Sequence, residues 1–214
     1  MIHLNSVRSY NMTLQSTNMA RSPILKQLSA QQENLFPISQ TGSFIIDMTL
    51  YAKTGLRGKT ASKVIEQAGL ALPAKPNQAI DSELATVLRL SDKEYWLLTN
   101  SENKDLPELK MSDDCYKVFC QDSHAWLSFK SPFKADVMAK LCGVDLREPA
   151  FPLGAIAQTV VAGSNAIIVH HKWDKEAVFS ILCDRSVAHY LWMVMLDAMD
   201  EFNGKEDDFI SLSF

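Results

Sequence analysis

Asp122-Ser123-His124 sets a carboxylate, a hydroxyl and an imidazole side by side. These are the residue types of a nucleophilic triad. A working triad needs them to converge from separate places in the fold, and three consecutive residues do not. They are read as local turn hydrogen bonds, and no GxSxG elbow occurs elsewhere. Gly55-Leu56-Arg57-Gly58-Lys59-Thr60 carries two glycines and a lysine ahead of a predicted helix, where backbone amides could hold an anion. The phosphate patterns GxxxxGK[ST] and GxGxxG are absent, and an ordinary turn accounts for the glycines. His170 and His171 are neighbours in a predicted strand. Their side chains point to opposite faces, so they cannot readily share one metal ion. His3, His124 and His189 have no partners at ligand spacing. No catalytic, cofactor-binding or metal-binding residue is therefore expected on this chain.

The four cysteines, Cys115, Cys120, Cys142 and Cys183, are read as reduced thiols buried as small apolar groups. Cys115 and Cys120 stand at an odd separation in a strand-like run, which sends them to opposite faces. A thiol nucleophile would need a nearby cation to lower its pKa. The 214 residues are 47% hydrophobic and 21% charged, enough for a substantial core. A net charge of −4 without a basic block argues against nucleic acid. No apolar run approaches the ~20 residues that a membrane span needs. The expectation is a cytoplasmic protein with no membrane partner.

Periodicity supplies the elements. Residues 1–40 hold few acidic groups and are read as an N-terminal arm with a short helix from Pro23 to about Gln31. SFIIDMT (43–49) is a strand. Ala61, Val64, Ile65 and Ala68 share a helical face, and Gly69 follows as a C-cap. ALPAKPNQ (71–78) is a loop. LATVLRL and EYWLLT form a hairpin across Ser91–Lys93. After the polar stretch 101–114, CYKVFC (115–120) and HAWLSFK (124–130) are strands. A helix opens at Pro132, with Phe133, Val137 and Leu141 on one side and Gly143 at its end. Residues 148–154 are a second loop, three strands follow, and a long helix runs from about Asp184 to Phe202.

VIEQAGLAL (64–72) and MAKLCGVDL (138–146) align at a constant offset, with Gly69 on Gly143 and Leu72 on Leu146. The fold class is therefore α+β. Two related β-α-β-β layers are expected, each an antiparallel sheet with helices on one face. The units run over 41–112 and 113–203, with an acidic tail at 204–214. FPLGAIAQT (151–159) holds no acid, base or nucleophile and is the second copy of the loop, bent by its prolines and Gly154.

One feature exceeds what a helix on a sheet requires. The apolar residues of DRSVAHYLWMVMLDAMDEF span roughly 200° of the helix circumference, against a little over ~100° for simple packing on one sheet. The excess carries Trp192, Met195 and Met199. Either the rest of the chain covers that side by packing within the molecule, or another protein does, in which case these three are the candidate contacts to a partner.

GLRGKTASKVIEQAGLALPAKPNQ (55–78), SDKEYWLLT (91–99), DSHAWLSFKSPFKADVMAKLCGVDLREPAFPLGAIAQT (122–159) and DRSVAHYLWMVMLDAM (184–199) together resemble the gamma subunit of heterotetrameric sarcosine oxidase. The strongest elements are L-C-G-V-D-L, A-F-P-x-G and A-Q-T. The family is similar to the folate-binding part of glycine-cleavage aminomethyltransferases, so the resemblance implies that domain's fold. It implies a non-catalytic accessory subunit of an enzyme that demethylates sarcosine oxidatively to glycine, with hydrogen peroxide and methylenetetrahydrofolate as products. It places FAD, FMN, NAD and tetrahydrofolate on the larger alpha- and beta-type flavoprotein subunits, which with a delta type are the expected partners, and no cofactor on this chain. The aminomethyltransferase-like domains place a catalytic aspartate after a hydrophobic strand. Here NAIIVHHKWDKE puts Asp174 beyond the strand, in a hairpin turn. The alternative is a free-standing folate-binding or aminomethyltransferase-like protein, which requires a deep pocket between the halves with a buried carboxylate at its base.

Overall fold

Side-chain alternation in the strands decides which surfaces stack. The computed structural model describes residues 22–24, 43–100, 105–173, 175–202 and 204–207. In chain order the elements are β1 (Ser43–Asp47), β2 (Lys53–Gly58), α1 (Ala61–Gln67), β3 (Gln78–Asp81), β4 (Thr86–Arg89), β5 (Glu94–Leu98), β6 (Cys115–Val118), α2 (Cys120–Ser123), β7 (His124–Lys130), α3 (Lys134–Ala139), β8 (Ile156–Val161), β9 (Ser164–Trp173), β10 (Glu176–Asp184), α4 (Ala188–Asp200) and β11 (Gly204–Asp207). They build a five-stranded sheet, β3-β4-β5-β2-β6, and a six-stranded sheet, β11-β1-β7-β10-β9-β8. Strand β11 runs parallel to β1, and the other pairings are antiparallel.

On β5, Tyr95 and Leu97 face α1 and pack with Val64, Ile65 and Leu70. Trp96 and Leu98 face the other way, toward the six-stranded sheet, and meet Trp126, Trp173 and Leu182. On β7 and β10, Leu127, Phe129, Phe179 and Ile181 turn outward under α3 and α4. The result is four layers, helix–sheet–sheet–helix, which bears out the α+β class with helices on one face of each antiparallel sheet. Each buried side chain of this kind contributes about 1.5–3 kcal/mol relative to exposure.

The repeat is more intimate than two stacked units. Replacing β3-β4-β5-β2-β6 by β8-β9-β10-β7-β1 gives the second sheet in the same order. Strand β1, from the first half, thus completes the sheet of the second. Strand β6, from the second half, completes the sheet of the first. The two bent loops meet as well. Ala79 N–H donates to Gly154 O at 2.7 Å and Ile156 N–H to Asn77 O at 3.0 Å. FPLG therefore ties one sheet to the other. Gly154 has φ +86°, and a Cβ there would lie 2.9 Å from Ala79 O, so only glycine allows the approach.

Several expectations need correction. GLRG is part of strand β2, not a turn. Its glycine content hid it, yet Gly55 is what lets Val118 and the Trp96 ring close on the strand, since a Cβ would sit 2.8 Å from Val118 Cβ and 3.1 Å from that ring. Strand β3 also escaped notice, since it begins at the last residue of the predicted loop and runs through residues given no element. Gly69 takes φ +78° as a C-cap should, whereas Gly143 is not left-handed. Strand β6 ends at Val118, and Cys120 opens the short α2. Part of the predicted acidic tail, Gly204–Asp207, forms β11. Of the N-terminal arm only 22–24 is described, with Ile24 in the core under the helices and the Ser22 hydroxyl donating to Asp47. The rest of the arm and its helix, 101–104, Asp174 and 208–214 lie outside the described residues.

Replacing Gly154 by Ala forces a strained backbone against Ala79 O. A loss of about 1–3 kcal/mol in urea denaturation is expected. An unchanged midpoint would show that the loop junction relaxes freely.

Candidate functional site

The layer between the sheets contains a polar chain that no motif announced. Ser180 stands in the apolar run VFSILC of β10 and is fully buried. The Trp126 indole N–H donates to its Oγ at 2.7 Å, and His171 Nε2 lies 2.7 Å from the same oxygen. His171 Nδ1 is 3.8 Å from Asp81 Oδ1. Asp81 in turn accepts from Thr86 Oγ1 at 2.8 Å and from the Lys172 N–H at 3.0 Å. Placing the imidazole proton on Nδ1, toward Asp81, leaves Nε2 free to accept from the Ser180 hydroxyl.

Serine, histidine and aspartate thus converge in space, yet the arrangement is unsuited to nucleophilic catalysis. Ser180 and His171 have no exposed surface. Trp126 donates into the oxygen that would attack, and 3.8 Å is too long for a hydrogen bond. Burial pushes the His171 pKa down to about 4, against the opposing pull of Asp81. The imidazole is therefore neutral and acts as a buried link between β9 and β10, with Asp81 of the other sheet beside it. Lys53 is another unannounced group. It is buried between the sheets, donates to Thr49 O at 2.5 Å, and has its pKa lowered by burial to about 8. Ser180 as a lone polar residue in an apolar strand was a usable signal. Lys53 could be found only by reading 53–58 as a strand.

The predicted candidates scatter. Ser123 Oγ donates to Phe119 O at 3.0 Å and lies 2.8 Å from His124 Nδ1, the local pattern expected. Asp184, not Asp122, stands opposite His124 in the strand register, and burial holds the His124 pKa below its usual value. In the would-be anion loop, Gly58 N–H donates to Lys93 O at 2.9 Å and the Thr60 hydroxyl to Asp113 O at 2.6 Å. His170 and His171 do point to opposite faces. His170 Nδ1 lies 2.9 Å from Phe151 O on the helix side. Cys115 and Cys120 fall in different core layers. Burial pushes the Cys120 and Cys183 thiols up to about 12, which disfavours a thiolate nucleophile. Among the described residues no group of three His, Cys, Asp or Glu is placed to hold a metal ion, and no helix is long and apolar enough to cross a membrane.

Trp192, Met195 and Met199 require a correction. All three are 0% exposed, packed with Val137 and Met138 of α3 and with the six-stranded sheet. The wide apolar stripe of α4 is covered by the chain itself, because α3 and the residues around it flank the helix. Phe133 stacks on Phe202 at 5.3 Å, and Lys140 pairs with Glu201 at 2.5 Å. Tyr190 and Met193 are the large apolar side chains that α4 leaves exposed.

An open groove of about 410 Å³ lies on the six-stranded sheet, lined by His124, Gln158, Val160, Asn165, Ile167 and Leu182 among others. It offers one imidazole, two amides and the Thr159 hydroxyl, and no carboxylate. The folate-binding alternative expects an enclosed hollow with a carboxylate at its base. The layer between the halves is filled instead by Met48, Leu88, Trp96, Trp126 and Trp173, and Asp81 is already engaged.

Residues 75–206 match the family model described as the GCVT N-terminal domain. The chain belongs to that family. An aminomethyltransferase of Clostridium botulinum (strain Kyoto / Type A2) is 29% identical over 126 residues, covering 56% of this chain and 32% of the relative. That of strain Langeland is 29% identical over the same length. The chain spans about a third of the length of these curated relatives. Among solved structures, a chain of the heterotetrameric sarcosine oxidase from Corynebacterium sp. U-96, in complex with pyrrole 2-carboxylate, superimposes with a TM-score of 0.67 at 20% identity. It covers 88% of this chain and 98% of that one. The glycine cleavage system aminomethyltransferase T from Bartonella henselae gives a TM-score of 0.54 at 15% identity, covering 78% and 48%. The resemblance read from the sequence is thus borne out: this GCVT-family chain has the fold of a sarcosine oxidase chain along nearly all of that chain's length.

The neutral, buried His171 sets an acid limit on stability. Its folded pKa of about 4 lies below the ~6.5 of an unfolded histidine. The unfolded state therefore binds more protons between these values, and stability falls by about 2–3 kcal/mol as pH drops from 6.5 to 4. His171→Gln should flatten most of that slope in denaturation series across this range. Trp192→Ala should cost about 3–5 kcal/mol in the isolated chain. A small loss, with assembly alone impaired, would return Trp192 to a partner interface.

Proposed function

We propose that this chain is the small, non-catalytic gamma-type subunit of a heterotetrameric sarcosine oxidase. It supports oxidative demethylation of sarcosine to glycine, while hydrogen peroxide and methylenetetrahydrofolate form on the other subunits. The observation that carries this reading is the fold shared with one chain of such an enzyme over 98% of that chain's length. The sealing of the His171–Ser180 pair away from any substrate supports it. In this reading the alpha- and beta-type flavoprotein subunits, with a delta type, hold FAD, FMN, NAD and tetrahydrofolate, and the assembly works in the cytoplasm.

The aminomethyltransferase relatives favour a second reading, a free-standing folate-binding or aminomethyltransferase-like protein. One experiment separates the two. The purified chain is expected to show no flavin absorbance and no sarcosine turnover, and to form a stable complex when co-expressed with the flavin-bearing chains. Calorimetric binding of tetrahydrofolate at micromolar concentration by the lone chain would favour the second reading. Sarcosine oxidation by the lone chain would sink the first.

A further inference from the structure

We infer that the outer edge of β6 receives one more strand, an extended acidic and apolar segment of a partner subunit running parallel to it. The inference rests on the subunit reading above and adds the surface and the kind of segment it takes.

The internal repeat supplies the first argument. β6 closes the five-stranded sheet as β1 closes the corresponding strands of the six-stranded one. On its outer side β1 carries β11, paired in parallel from Ser43↔Gly204 to Ile46↔Asp207. The matching position beside β6 holds no strand among the described residues. Among the described residues, one copy of the repeat thus carries an added strand at a place where the other carries none. An edge of this kind offers a row of backbone donors and acceptors to any extended chain that reaches it.

Side-chain chemistry supplies the second. Tyr116 is 66% exposed and Phe119 63% exposed, the two most exposed large apolar residues described. Tyr116 shares the face of Val118, which packs partly into the layer between the sheets. An added strand could cover these rings by extending that layer outward. Lys117 points to the opposite face, beside Cys115. It is exposed and takes part in no ion pair among the described residues. Its charge calls for a carboxylate on the incoming strand, and the two aromatic residues call for apolar neighbours. The strand at the matching edge, β11, reads Gly-Lys-Glu-Asp, with two acidic residues to one basic.

The test is amide hydrogen exchange on the full chain, alone and in complex with co-expressed flavin-bearing subunits. The expected result is exchange at 115–118 slowed about tenfold or more in the complex only. Lys117→Glu, and separately the pair Tyr116→Ser with Phe119→Ser, should each weaken association about tenfold while leaving the melting temperature of the lone chain unchanged. Assembly without protection at 115–118, or with both variants binding like the parent, overturns the inference and leaves the subunit reading standing. Protection already present in the lone chain, or rising with its concentration, assigns the edge to this chain's own residues or to a second copy and likewise overturns it. Failure of the parent chain to assemble at all counts against the subunit reading itself, and the inference falls with it.

Discussion

The exchange of β1 and β6 between the halves is the constraint on which the rest of the molecule depends. Each sheet is finished by a strand from the other half, so neither inner face is complete until both halves are in place. The apolar layer between the sheets, with Trp96, Trp126 and Trp173 at its centre, is the energetic counterpart of that exchange. Trp173 and Trp126 meet edge to face at 5.7 Å, and Tyr51 meets Trp173 at 5.3 Å, arrangements that favour aromatic pairs beyond simple burial.

This arrangement also explains why polar groups that look catalytic are not free to act. Polar side chains entering such a layer must find partners there, because an unpaired one is costly. Ser180 meets this demand with Trp126 and His171, and Asp81 with Thr86 and the Lys172 amide. These bonds fix the indole of Trp126 and the position of β9 relative to β10. The same residue types on an open cleft would suggest hydrolysis. Closed in, they give the core a single arrangement.

Much of the fold was legible in the sequence, since short continuous apolar runs marked β5, β7 and β10 and the period of 3.6 marked α1 and α4. The repeat was legible too, through Gly69 and Gly143 and the leucines after them. The partners of β1 and β6 were not, because alternation reports which faces are buried and says nothing about which strand lies alongside. β2 was hidden by two glycines, Gly55 against Trp96 and Val118 and Gly58 against the Asp114 carbonyl, and β11 by its charges. The wide stripe of α4 was legible as a face that something must cover, but its width alone does not distinguish α3 from another protein. The Asp81–His171–Ser180 chain joins residues from two sheets, and no linear spacing encodes that. Family likeness was carried by the helix-to-loop motifs, where local sequence and local structure coincide.

The strand exchange has a consequence for the newborn chain. As the polypeptide leaves the ribosome, β1 emerges early, yet its neighbour β7 follows roughly 80 residues later, and such distant pairings slow folding. The first half can close its helix and hairpin on its own but must wait for Cys115–Val118 to finish its sheet. During that interval aromatic and aliphatic surface stays bare, so synthesis is the stage at which this molecule is most exposed to misassociation.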